Sequence, residues 1–330
     1  MKLAYVIYPE AIVINKSNGI RNQAVTWKKQ LESEDGCQVD LINPWDAINW
    51  AEYDAIHVFG GNQWLGFIPD LAARNDNIVF SPILDCIEPL DKIKFQASLG
   101  FKGYHHPQNM YRTYLKIFKK ILVRSQYEAD YFIKAYRCPE EQIAIVPISY
   151  DITDDYVPQE KENSCLHISA VYQERKNVQR LVEASKKYNF PLYLGGNYGN
   201  AEQKAMVESW IDGTPLIKLL GFISDEKALE LYRRCKVFAL PSINEGVGIV
   251  ALNAAVQGAN VVITKVGGPK EYYNGMAYEV NPYDVDDIGK SVMAAMGNDN
   301  KQPQLREHII AEYSTTAIRT KLINVYQSLK

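Results

Sequence analysis

Short apolar runs that alternate with amphipathic stretches are the feature of this sequence that most restricts its fold. One series of runs lies within residues 1–146, and a second lies within residues 165–264. The runs are short and almost continuously hydrophobic, which is typical of strands buried on both faces of a parallel sheet. The stretches between them predict helices that cover those faces. The pattern therefore predicts an α/β protein with two doubly wound, Rossmann-like domains.

The order of these runs also predicts the domain boundary. The predicted strands are 3–8, 38–42, 55–59, 78–82, 121–123 and 143–146, followed by 165–168, 192–194, 217–219, 237–240 and 261–264. Residues 149–163 carry acids and Pro158 without periodicity and predict the linker. We place an N-terminal domain at 1–150 and a C-terminal domain at 151–313. A final helix at 314–330 completes the first domain or packs on the second. Two such domains predict a central cleft between them, lined by the carboxyl ends of the strands.

Composition excludes some partners. The 330 residues carry a net charge of −3, so no global basic field predicts nucleic acid as a partner. The five cysteines are scattered without a CxxC spacing, which favours free thiols in a reducing cytoplasm. The apolar run at the N-terminus ends at Pro9 and is too short for a signal peptide or a membrane span. We therefore expect a cytoplasmic protein.

A glycine loop with one acid separates the predicted strand 237–240 from a helix. It reads Glu245-Gly246-Val247-Gly248. Glycines let the main chain approach a ligand closely, and a helix N-terminus offers N–H groups and partial positive charge to a diphosphate. A carboxylate repels phosphate but accepts hydrogen bonds from sugar hydroxyls. The loop predicts a site for a phosphorylated sugar; the alternative is an acid that stabilises the helix start.

Two cations follow the first strand of the second series. Arg175 and Lys176 stand at the start of the predicted helix at 178–188. Because the helix dipole disfavours cations at this end, a binding role is favoured over a pair of solvated side chains. Fixed cations can stabilise the charge that develops on a departing diphosphate. His105 and His106 have no further ligands nearby in the sequence, and we predict no metal site.

These segments resemble the retaining sugar-nucleotide glycosyltransferases of the GT-B fold, in particular the large family 4 (glycosyl transferases group 1). The matching residues are Pro241-Ser242, Glu245-Gly246-Val247-Gly248, Gly258, Val261-Val262, Gly267-Gly268 and Glu271. The sequence departs from the family at three places. Asn253 replaces a second Glu, a Gly-Arg pair before Lys176 is absent, and Leu84 replaces the His of a His-Asp pair.

The resemblance implies roles for individual residues. Glu245 would contact the donor sugar, and Arg175 and Lys176 would neutralise the diphosphate. The implied donor-binding residues are Gly19 in the first glycine loop, Phe222 and Ile223 beside the base, Gly246, Val247, Gly248 and Ile249 through their main chain, Asn253 at the ribose position, and Gly268. The implied reaction retains the anomeric configuration by front-face displacement and needs neither a metal nor a cofactor.

A stretch rich in cations and aromatic residues lies in the N-terminal half. Residues 92–124 contain eight Lys or Arg, no Asp or Glu, and six Phe or Tyr. This composition suits an anionic bilayer surface or a polyphosphate-bearing acceptor; the alternative is a solvated helix whose aromatic side chains face the core. The stretch predicts a lipid-linked acceptor, handled at the inner face of the plasma membrane.

We therefore expect a glycosyltransferase that moves a sugar from a nucleotide-diphosphate donor to a glycan or lipid-linked acceptor in surface polysaccharide or glycoconjugate synthesis. Two alternatives stay open from the sequence. The first is a non-catalytic partner subunit that binds nucleotide sugars on the same fold, because Asn253 and Leu84 depart from the family. The second is a sugar-nucleotide epimerase, which needs a set of acid–base carboxylates that the sequence does not supply.

Overall fold

The chain forms two compact units. The computed structural model describes residues 1–8, 19–43, 45–60, 62–84, 88–101, 104–297 and 304–329. The first unit comprises Met1–Ile148 with Thr315–Lys330, and the second comprises Ser149–Ser314.

The first unit is built on a parallel sheet. Its strands are β1 (Lys2–Ile7), β2 (Gln38–Leu41), β3 (Ala55–Phe59), β4 (Ile78–Ser81), β5 (Gly100–Phe101), β6 (Tyr104–His105), β7 (Lys120–Val123) and β8 (Ile143–Ile145). Its helices before the crossover are α1 (Gly19–Leu31), α2 (Ile68–Ala72), α3 (Leu90–Ser98), α4 (Pro107–Tyr114) and α5 (Gln126–Lys134). Six strands pair in the order β2-β1-β3-β4-β7-β8, and β5 and β6 form a separate antiparallel pair. Apolar clusters cover both faces of the large sheet, as its continuously buried central strands β3 and β4 require.

The second unit repeats this architecture. Its strands are β9 (Glu162–Ala170), β10 (Leu192–Asn197), β11 (Ile217–Gly221), β12 (Cys235–Leu240), β13 (Asn260–Thr264) and β14 (Tyr278–Val280). Its helices are α6 (Val178–Tyr188), α7 (Ala201–Ile211), α8 (Asp225–Arg234), α9 (Ile249–Val256), α10 (Val285–Met296) and α11 (Leu305–Tyr313). All six strands are parallel, in the order β11-β10-β9-β12-β13-β14.

The last helix returns to the first unit. Helix α12 (Thr315–Gln327) packs beside α1, and its Ile318, Leu322 and Tyr326 side chains are buried in the apolar cluster of that unit. Tyr326 is also held by polar contacts, because its hydroxyl lies 2.6 Å from His57 Nδ1 and 2.9 Å from the Tyr5 hydroxyl. The sequence left two packing partners open for this helix, and the structure selects the first unit.

The strand order of the second unit creates a crevice. From β9 the chain proceeds to β10 and β11 on one side, and from β12 it proceeds to β13 and β14 on the other. The loops that follow β9 and β12 therefore diverge, and such a switch point at the carboxyl ends of parallel strands is where open α/β sheets bind ligands. The prediction of two doubly wound units is confirmed. Within the described ranges, no helix is both long and apolar enough to span a bilayer.

Candidate functional site

Two loops are joined at the switch point of the second unit. Residues Glu174–Lys176 form a short 3-10 helix after β9, and the Arg175 carbonyl accepts a hydrogen bond of 2.8 Å from Ile243 N in the loop after β12. Asn177 follows in the left-handed conformation at φ 59°, which asparagine tolerates better than most residues. Its buried Nδ2 donates to the carbonyls of Pro241 at 2.8 Å and Pro282 at 2.5 Å. These bonds fix the turn that carries the two cations.

The three predicted catalytic side chains meet in this crevice. Lys176 Nζ forms an ion pair with Glu245 Oε2, and Arg175 Nη1 lies 3.7 Å from Glu245 Oε1. The Ser242 hydroxyl donates a hydrogen bond of 3.4 Å to the same carboxylate. The Lys176 and Glu245 side chains are only 12% and 11% exposed, whereas Arg175 is 43% exposed. Two cations and one acid leave the cluster with a charge of +1, which suits an anionic ligand.

The glycine loop places main-chain donors beside this cluster. Gly248 precedes α9 at φ 74°, and a Cβ there would lie 2.9 Å from Leu240 Cδ2, so that a larger residue would be both strained and crowded. It gives α9 no side-chain cap. The first N–H groups of a helix without such a cap are available to an anion. Val247 is 4% exposed and can therefore serve a ligand only through its main chain.

The remaining predicted donor-binding residues stand at other strand ends. Phe222 and Ile223 follow β11; Phe222 is 87% exposed, whereas Ile223 packs against Gly195. Gly268 follows β13 and precedes the 3-10 helix Pro269–Tyr273. Gly19 begins α1 in the first unit, and residues 15–18 of its predicted loop lie outside the described residues.

Asn253 is engaged inside the protein. It lies on α9 with 8% exposure, and its Nδ2 donates to Asp151 Oδ1 at 2.5 Å. Its Oδ1 accepts from Asp151 N at 3.1 Å. The predicted ribose position is therefore occupied by an amide that holds the main chain and the carboxylate of the segment before β9.

Several side chains that raised a functional question belong to the core. His57 is fully buried on β3. Tyr111 and Phe118, in the cationic stretch, are each 1% exposed, so for these two the core-facing alternative is correct. Arg124 is also buried and pairs with Glu128 at 3.2 Å. Phe95 differs, with 64% exposure. Among the described residues, no group of three or more His, Cys, Asp or Glu could hold a metal ion.

Three residues of the site were not assigned a role from the sequence. Ser242 lies within the quoted Pro241-Ser242 motif, and Asn177 directly follows Lys176. An asparagine directly before an apolar helical run was the available signal for Asn177. Asp151 lies in the segment interpreted as a linker, and its partner Asn253 is 102 positions away. No local pattern connects these two residues, because their contact depends on how the segment crosses α9.

Comparison with known proteins identifies the family. Residues 151–312 match the family of glycosyl transferases group 1, a range that covers nearly all of the second unit. Residues 151–312 of the chain belong to this glycosyltransferase family, as the motifs in the loops after β9 and β12 predicted.

Relatives among the curated proteins include O-antigen mannosyltransferases. O-antigen chain mannosyltransferase B of Escherichia coli is 24% identical over 241 residues, which cover 64% of this chain and 61% of that protein. O-antigen chain mannosyltransferase RfbU of Salmonella typhimurium is 26% identical over 190 residues, which cover 56% of this chain and 52% of that protein. The chain thus spans less than two thirds of the length of these relatives.

Solved structures share the fold along the whole chain. Sucrose-phosphate synthase from Thermosynechococcus elongatus has a TM-score of 0.74 at 16% identity, with coverage of 100% of this chain and 99% of that one. Anabaena HepE in complex with UDP and glucose has a TM-score of 0.72 at 14% identity, with coverage of 99% and 100%. The predicted GT-B fold, with two parallel six-stranded sheets, is confirmed.

Proposed function

We propose that this protein transfers a sugar from a nucleotide-diphosphate donor to a glycan acceptor in surface polysaccharide synthesis. One observation carries the proposal: Glu245, Lys176 and Arg175 converge at the switch point beside the N-terminus of α9. Membership of the glycosyl transferases group 1 family supports transfer as the activity. The O-antigen mannosyltransferases among the relatives support a glycan acceptor, and HepE, which binds UDP and glucose, supports a nucleotide-sugar donor.

The charges of the cluster favour the donor diphosphate. The diphosphate is anionic, and it competes with Glu245 for Lys176 and Arg175. Arg175 is the more exposed of the two cations, and its forked guanidinium suits bidentate contact with phosphate oxygens. The main-chain N–H groups of Gly246, Val247, Gly248 and Ile249 add donors without a formal charge. Once Lys176 turns to phosphate, Glu245 accepts hydrogen bonds from the donor sugar.

The proposed reaction retains the anomeric configuration. The bond between the anomeric carbon and the diphosphate oxygen breaks, and the acceptor oxygen attacks the same face of the sugar. The acceptor proton passes to the departing diphosphate oxygen, so that atoms and charge balance without a protein base. Lys176 and Arg175 stabilise the negative charge on the leaving group, which is the kind of electrostatic contribution that dominates many enzymes.

The other predicted donor and acceptor contacts are part of the proposal. Phe222 and Ile223 border the base. Gly268 contacts the donor through its main chain, and Gly19, in the first glycine loop, is a further donor contact. The exposed face of α3, with Lys92, Lys94 and Phe95, makes peripheral contact with an anionic membrane that carries a lipid-linked acceptor. The non-catalytic binding subunit is the second candidate, since Asn253 and Leu84 depart from the family; the transferases among the relatives favour catalysis.

Isosteric variants of the cluster test the activity. Wild type is incubated with a panel of nucleotide sugars that includes a mannose nucleotide and UDP-glucose, together with a lipid-linked glycan extract, and release of the nucleoside diphosphate is measured. We expect Glu245→Gln and Lys176→Met to lower kcat/KM by about 100-fold or more, because each removes a charge from the reacting site. The anomeric configuration of the product, read by NMR, tests retention.

Lys187→Met is the matched control. Lys187 stands in the last turn of α6, is 58% exposed and pairs with Asp286 at 2.5 Å, so this variant also removes one lysine–acid pair from the second unit. It should keep full activity. Unchanged activity in both cluster variants, with thermal unfolding like that of wild type, would refute the assigned roles. Tight nucleotide binding by the wild type without turnover would favour the binding subunit.

A further inference from the structure

The Asn253 side chain has little hydrogen-bonding capacity left for a ligand. A primary amide offers two N–H protons and one carbonyl oxygen. The bonds to Asp151 engage both ends of the amide, at 2.5 Å and 3.1 Å. The side chain also hydrogen-bonds the phenol of Tyr232, which is 3% exposed. With 8% exposure of its own, Asn253 is a buried connector between α8, α9 and the segment before β9.

Asp151 is the polar group that this connector holds at the surface. Its residue is exposed, and the contacts with Asn253 involve only its main-chain N and Oδ1. The second carboxylate oxygen, Oδ2, takes no part in either contact. An ionised carboxylate accepts about four hydrogen bonds, so that a carboxylate gripped by one oxygen retains acceptor capacity in a fixed orientation. A fixed exposed carboxylate suits a ligand that offers hydroxyl groups.

The position of Asn253 along α9 indicates which ligand hydroxyls Asp151 could reach. Asn253 lies four residues after Ile249, the first residue of α9, which corresponds to about 6 Å along the helix axis. If the N-terminus of α9 holds the donor diphosphate, the ribose joined to that diphosphate lies about one turn away. In dinucleotide-binding α/β folds, the group that hydrogen-bonds the ribose hydroxyl is an Asp or Glu carboxylate.

We infer that Asp151 binds the ribose hydroxyls of the donor nucleotide and that Asn253 is a positioning residue for it. The inference rests on the proposed function, since it requires a nucleotide donor at α9. It explains how this chain keeps a carboxylate for the ribose although residue 253 is not acidic. The carboxylate comes from the segment before β9, and α9 supplies only its support.

Nucleotides with and without ribose hydroxyls test this role. Calorimetry first finds which of UDP, GDP, ADP and CDP binds the wild type most tightly, and then compares that nucleotide with its 2′,3′-dideoxy counterpart. Asp151→Ala should weaken binding of the ribonucleotide about tenfold and leave binding of the dideoxy nucleotide unchanged. Asn253→Ala should weaken ribonucleotide binding in the same direction, and it should add little in the Asp151→Ala background.

Asp155→Ala is the matched control, because Asp155 is an exposed acid of the same segment that pairs with Arg233. It should not change either affinity. Asp151→Asn keeps the side-chain size and provides a second variant if the alanine protein fails to fold. Equal loss for both nucleotides, or no loss at all, would overturn the inference while leaving the proposed function intact. If the wild type binds none of the four nucleotides, the proposed function fails together with the inference.

Discussion

At the scale of single residues, Gly196 controls how closely two central strands approach. It lies on β10 opposite Ser169 of β9, at φ 122°. A Cβ there would lie 1.9 Å from the Ser169 carbonyl oxygen, so that any side chain forces the carboxyl ends of the two strands apart. We predict that Gly196→Ala lowers the free energy of unfolding by about 3 kcal/mol, as measured by urea denaturation.

Gly213→Ala gives the comparison that isolates the clash. Gly213 also has positive φ, at 67°, but a Cβ there meets no atom within 4 Å. The strain of the left-handed conformation alone should cost about 1 kcal/mol. If the two variants lost the same stability, the close approach of β10 to Ser169 would not be the cause.

The residues of the candidate site differ in how far the sequence could predict their contacts. Glu245, Lys176 and Arg175 each follow a predicted parallel strand, and the carboxyl ends of such strands share one edge, so their convergence followed from local patterns. The link between Asp151 and Asn253 did not follow from any local pattern. It joins a segment without periodicity to the buried side of a helix, and only the path of the chain across α9 brings them together.

At the scale of elements, buried strands were predictable and weakly patterned ones were not. The predicted strand at 55–59 coincides with β3, all five residues of which are buried. Strand β14 was missed because it has only three residues, with Glu279 in the middle. The place of α12 was undecided because an amphipathic helix can cover either sheet. The contact of Tyr326 with His57, 269 positions away, fixes it on the first unit.

Helix α3 buries one face in the first unit and exposes the other. Ile93 and Ala97 are buried, whereas Lys92, Lys94 and Phe95 are exposed on its other face. We predict that the protein sediments with phosphatidylglycerol-containing vesicles. Phe95→Ser should weaken that binding about tenfold through lost apolar burial, and Lys94→Ser should weaken it about fivefold.

The matched control for α3 lies in the other unit. Met206 is 40% exposed on α7, so Met206→Ser removes an exposed apolar side chain without touching α3. Vesicle binding by this variant should equal that of the wild type. Binding to neutral phosphatidylcholine vesicles should be weaker in every case, because the lysines contribute only at an anionic surface. If the wild-type protein did not sediment with anionic vesicles, the membrane proposal would be contradicted.

At the scale of the whole molecule, each unit encloses a fully buried histidine. In the first unit, His57 Nε2 lies 2.8 Å from the Ser81 hydroxyl, and burial holds the pKa of His57 well below its ordinary value. In the second unit, burial lowers the pKa of His167 to about 4. His167 Nδ1 donates to the Ala239 carbonyl at 2.8 Å, since a carbonyl can only accept, and Nε2 then accepts from the Ser169 hydroxyl at 2.7 Å. Both rings are therefore neutral at pH 7.

These two histidines should make the molecule sensitive to acid. Between pH 6.5 and pH 4 the unfolded chain binds a proton at each histidine and the folded chain does not, so stability falls as the pH falls. For His167 the loss over this window is about 3 kcal/mol. The measurement is the free energy of unfolding at pH 7 and at pH 4.

Carboxylates titrate in part of this window, so the informative quantity is the difference between the wild type and His167→Asn. The variant keeps a side-chain donor for Ala239 but cannot titrate, and it should be less stable at pH 7 yet lose about 3 kcal/mol less on acidification. If both proteins lost the same stability between pH 7 and pH 4, the His167 ring would accept a proton without unfolding the second unit. Its burial and its bond to the Ala239 carbonyl both oppose this outcome.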